Sequence, residues 1–63
     1  MKKKEARQMA REIRGFVVGN KADVNEVMGD YLVDMPLDDV YLVEDTYFEM
    51  LKAGEFKDIT GVQ

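Results

Sequence analysis

LDDVYLVEDTYFEMLKAG, residues 37–54, decides how the rest of this chain is read. Leu37, Val40, Tyr41, Val43, Tyr47, Phe48, Met50 and Leu51 recur at three- and four-residue spacing and cover nearly half of a helical wheel. Asp38, Asp45 and Glu49 line the far side. The spacing predicts one continuous helix over 37–53. Lys52 suits the negative end of its dipole, and Gly54 is a natural C-terminal cap. A competing α+β reading makes residues 40–43, which are β-branched and aromatic, a short strand. Thr46-Tyr47-Phe48-Glu49 would then be the capping box of a shorter helix. The unbroken pattern favours the continuous helix.

Two residues in this stretch sit against its pattern. Glu44 falls inside the apolar sector, between Val40, Tyr41, Phe48 and Leu51. A charge there is costly unless it is paired or reaches water. The expectation is a rim position, and the alternative is a salt bridge to an arginine of the first helix or of another subunit. Leu42 lies on the acidic side, beside Asp38 and Glu49, and is a candidate contact residue together with Ala53.

Upstream, Pro36 ends the preceding element, since the residue before a proline is pushed out of the helical region. Asp34 or Asp38 is placed to cap the helix that follows. Before Pro36 a second helix is expected over 21–34. Asn20-Lys21-Ala22-Asp23 would open it as a capping box with Asp in place of Glu. Val24, Val27, Met28, Tyr31, Leu32 and Met35 form its apolar face, and Asp23, Glu26, Asp30 and Asp34 an acidic stripe beside it. Gly29 is read either as a site of close packing or as the mark of a weak helix. A first helix is expected over 4–18 on Ala6, Met9, Ala10, Ile13, Phe16 and Val17, with Gly19 as its stop. Lys4, Arg7, Arg11 and Arg14 stripe one flank of that face, and Glu5 and Glu12 the other.

The reading is an all-α class: a single three-helix domain over 1–63, completed by self-association. The tail, 55–63, is expected to fray in part, with Phe56 and Ile59 folding back as anchors. Self-association enters because 63 residues bury only a modest core and need regular packing, a staple or a partner. The chain has no Cys and no His, which removes disulfides and the usual zinc sites. The Met1-Lys2-Lys3-Lys4 start is followed by charge rather than by an apolar signal segment. No run approaches the roughly 18 apolar residues of a membrane span. A cytoplasmic location is expected.

Charge is strongly segregated. Residues 1–21 carry seven basic and two acidic side chains, whereas residues 22–51 carry nine acidic side chains and no basic one. The net charge of −4 conceals this split. One expectation is internal complementarity, with the basic first helix packing against the acidic second and third, within one chain or between two. Across an antiparallel first hairpin, however, the basic and acidic stripes fall on opposite edges of the seam, so full pairing there is not expected.

Enzymatic chemistry is not expected. Ser, Cys and His are all absent, Thr46 and Thr60 have no activating partner, and the five glycines are too dispersed for a phosphate loop. No cofactor is implied. Asp34, Asp38 and Asp39 are close in sequence but lack EF-hand spacing, so no metal site is expected. The preferred function is a non-enzymatic regulator or inhibitor binding a protein with a basic surface. Its candidate residues are Asp23, Glu26, Asp30, Asp34, Asp38, Leu42, Asp45 and Glu49. In size and charge this is analogous to the small acidic DNA-mimic proteins of phages and mobile elements. One alternative is a nucleic-acid-binding module gripping phosphates with Lys4, Arg7, Arg11 and Arg14. Another is a structural oligomerisation unit.

Overall fold

A computed structural model describes residues 1–60 and contains three helices: α1 (Lys3–Asn20), α2 (Val24–Tyr31) and α3 (Leu37–Lys52). No strand occurs among the described residues, and residues 40–43 lie within α3. The all-α class holds. The expected fraying at 61–63 lies outside the described residues.

The helix that organises the fold is α1 rather than α3. It packs against both others, while α2 and α3 scarcely touch. Ala6, Ala10 and Ile13 are fully buried on its inner face. Two alanines one turn apart let a neighbouring helix approach closely. Val43, Thr46, Tyr47 and Met50 of α3 are buried with them, as are Met28 and Leu32 from α2 and the segment after it. Burial of each large apolar side chain contributes about 1.5–3 kcal/mol. After α3 the chain turns back: Phe56 is buried and Ile59 packs on the same core. The Phe56 ring lies 5.1 Å from that of Tyr47.

The helix ends differ from those expected, for identifiable reasons. α1 runs through Gly19 to Asn20, whose amide Nδ2 donates to the Phe16 carbonyl at 3.1 Å. The reversal is made by Lys21 in the left-handed region at φ 51°, and Ala22 N–H donates to the Val17 carbonyl at 3.0 Å. That is a Schellman closure built on lysine instead of glycine. Consequently α2 starts later, and its cap is Asp23 rather than Asn20. The Asp23 carboxylate accepts from Asn25 N and Glu26 N at 3.1 and 3.3 Å. α2 also stops at Tyr31, short of residue 34, so Asp34 sits in the turn leading to Pro36. Gly54, at φ 75°, closes α3 as expected, with Glu55 N–H donating to the Met50 carbonyl at 2.9 Å.

The broad apolar arc of α3 is split by the packing. One side faces α1; the other, carrying Leu37, Tyr41, Phe48 and Leu51, is exposed. Leu42 belongs with the inner side: it is half-buried and packs against the core. Gly29 is exposed, and a Cβ there would meet nothing within 4 Å. Its presence therefore reflects no close approach of another helix.

Candidate functional site: the divided charge surface

The basic flank of α1 is turned towards α3 and the segment that follows it. Lys3 Nζ donates to Glu49 Oε1 at 2.7 Å. Arg7 pairs with Glu55, and Arg11 with Asp58. Arg11 Nη1 also donates to the Glu55 carbonyl at 3.2 Å. Arg14, half-buried, donates to the Tyr47 hydroxyl at 3.1 Å, and its guanidinium carbon stands 5.9 Å from the Phe56 ring centre. Three of the four proposed phosphate-gripping residues are thus engaged within the chain. Lys4 makes no ion pair among the described residues.

No ion pair joins α1 to α2 among the described residues, as the opposed stripe positions imply. Their link is polar but of another kind: the Tyr31 hydroxyl donates to the Glu12 carboxylate on the opposite flank of α1. Phe16 and Tyr31 stack there with ring centres 5.9 Å apart. They border an open cleft of about 280 Å³ with Asn20, Val27 and Asp30.

These pairs set the protonation of their partners. Arg11 holds the Asp58 carboxyl below its usual range, first through their side-chain hydrogen bond. Lys3 lowers Glu49 in the same way. The Asp58 bond in turn raises Arg11. All these groups are solvent-exposed, so the bonds orient side chains more than they stabilise the fold.

Most carboxylates engaged with the α1 flank lie outside the acidic run. Glu55 and Asp58 belong to the final segment, for which the sequence pattern marks only the apolar anchors Phe56 and Ile59. Among the described residues most of the acidic run makes no ion pair. Glu26, Asp30, Asp34, Asp38 and Asp45 are exposed and make no ion pair among the described residues. Asp23 is occupied as the α2 cap, Glu49 is held by Lys3, and Asp39 accepts from the Met1 ammonium at 3.2 Å. On α3, Asp38, Asp45 and Glu49 fall within about 40° of one another around the axis and form one stripe. Asp34 is separated from the α2 acids by the end of that helix.

Glu44 is half-buried and makes no ion pair among the described residues, so it takes the rim position. Among the described residues no group of three or more acidic side chains is arranged to hold a metal ion, and no helix is long and apolar enough to cross a membrane. No protein-family model, curated protein or solved structure matches this chain.

Proposed function

We propose that this chain is a non-enzymatic regulator or inhibitor that binds another protein through its acidic helical surface. One observation carries the reading. The basic side chains Lys3, Arg7, Arg11 and Arg14 are engaged inside the chain, while Glu26, Asp30, Asp34, Asp38 and Asp45 are exposed and make no ion pair among the described residues. A surface of unpaired carboxylates accelerates encounter with a basic partner and repels acidic ones. It also opposes nucleic acid, whose phosphates would have to displace Glu55 and Asp58 to reach Arg7 and Arg11. An acidic face that imitates a row of phosphates would act on a nucleic-acid-binding protein rather than on the nucleic acid.

The discriminating experiment uses the tagged full chain as bait. Specific recovery of a basic protein from a native lysate, together with no mobility shift of DNA or RNA at low salt, is the expected pair of results. A nucleic-acid complex whose affinity falls steeply with salt would overturn the reading in favour of the α1 flank.

A further inference from the structure

We infer that the outer stripe of α3 docks an amphipathic helix of a partner protein that brings a lysine or arginine against Glu44. This rests on the protein-binding reading above and specifies the surface that does it. Leu37, Tyr41, Glu44, Phe48 and Leu51 are spaced four, three, four and three residues apart. That is the seam of two heptads, the pattern by which one helix lies along another. The four apolar members are 66, 57, 47 and 40 % exposed, although they are among the larger side chains of α3. They point away from Val43, Thr46, Tyr47 and Met50, which face the core, and among the described residues no helix lies over them, only the end of the stripe at Leu51 being flanked by Phe56 and Lys57.

The charges say what kind of helix fits. Glu44 stands in the middle of the stripe, half-buried by its neighbours and without an ion pair among the described residues. A helix laid over the stripe removes the remaining water from that carboxylate, which is tolerable only if it brings a cation. Asp38 and Asp45 run along one edge, also unpaired. Phe48, Asp45, Glu49 and Lys52 border an open hollow of about 340 Å³ on that edge, room for a partner side chain. A second copy of this chain fits poorly. Antiparallel pairing that sets Leu37 on Leu51 places Glu44 opposite its own counterpart and Asp45 near its own. Parallel pairing stacks Glu44 on Glu44 in one layer. Both put like charges into the seam, whereas a basic amphipathic helix reverses every one of these signs.

The test is a display library of helical peptides with apolar residues at heptad spacing and the central seam position randomised. It is selected on the full chain and, in parallel, on Glu44→Lys. Lysine or arginine should be enriched at that position on the parent, and aspartate or glutamate on Glu44→Lys. Phe48→Ser, at an exposed position, should weaken a selected peptide by about tenfold or more while circular dichroism stays unchanged. The same peptides emerging from both selections, no enrichment at all, or binding indifferent to Phe48→Ser would overturn the inference. So would a dimer in sedimentation that Tyr41→Ser converts to monomer, since a second copy would then cover the stripe. The two readings fail separately. Partner capture lost on reversal of Asp38 and Asp45 but kept in Phe48→Ser removes the stripe and leaves the acidic surface. The opposite result removes the acidic surface and leaves the stripe.

Discussion

Arg14 Nη1 donates to the Tyr47 hydroxyl at 3.1 Å, and this bond ties α1 to α3 where the Phe56 ring closes the core. Tyr47 is almost wholly buried, so its hydroxyl depends on that partner. The Arg14 Nε is buried without a hydrogen-bond partner among the described residues. Tyr47→Phe should therefore destabilise the fold by about 1 kcal/mol, since it removes the hydroxyl to which Arg14 Nη1 donates. Arg14→Met should cost less than Arg14→Ala, because both remove the unpaired Nε but only methionine keeps packing over Phe56. Urea unfolding of the three variants checks the order. Equal stability of Tyr47→Phe and the parent would show that the bond contributes nothing.

Thr46 points into the core of α3 with no exposure, and its Oγ1 has no hydrogen-bond partner among the described residues. Valine has nearly the same shape and no hydroxyl. Thr46→Val should raise stability by about 1 kcal/mol by relieving a buried unpaired polar atom. A fall in the urea midpoint would show that the hydroxyl is satisfied in solution.

Two backbone substitutions should stabilise for opposite reasons. Lys21 occupies the left-handed region at φ 51°, where a Cβ costs about 1 kcal/mol, so Lys21→Gly should gain up to that amount. Gly29 lies in an ordinary helical turn with open space around it, so Gly29→Ala should gain about 0.5–1 kcal/mol. The melting temperature of each variant and of the pair checks both, and the gains should add because a methyl at Gly29 would meet nothing within 4 Å.

The pair Arg11–Asp58 predicts a specific acid dependence. The Asp58 carboxyl is held below its unfolded value, so its contribution is fully present above the unfolded range near pH 4. It is lost as pH falls through the lower folded value. Protonation elsewhere in the acidic run relieves repulsion and acts in the opposite sense, so the informative quantity is a difference. The stability gap between the parent and Asp58→Asn should be present at pH 6, shrink as pH falls through the lowered folded value of Asp58, and narrow in high salt. A gap that persists unchanged in acid would contradict the ion pair. Glu49 with Lys3 should behave alike.

The number and order of the helices were legible because each apolar run keeps helical spacing and Pro36 and Gly54 punctuate it. Gly54 and Lys21 make the same closure, yet only the glycine announces it, because nothing in a lysine marks a left-handed turn. The orientation of α3 was illegible for a different reason. Its apolar arc is wider than one neighbouring helix can cover, and periodicity alone does not say which half turns inward. The structure turns Val43, Thr46, Tyr47 and Met50 inward and leaves Tyr41 and Phe48 out, which also places Leu42 against the core. The charge split was visible in full, and internal pairing was expected, but the carboxylates that make it were not legible. The partners of Arg7 and Arg11 lie more than 40 residues away in a segment of mixed composition.

Capture of the protein partner by the parent and by the Asp38→Lys/Asp45→Lys variant, compared quantitatively at one salt concentration, tests the central claim most directly. Both positions are exposed and unpaired among the described residues, so the variant should melt within a few degrees of the parent. Recovery should fall by about tenfold or more, as reversal of interfacial charge requires. Undiminished recovery by a correctly folded variant would contradict the claim that these carboxylates form the binding surface.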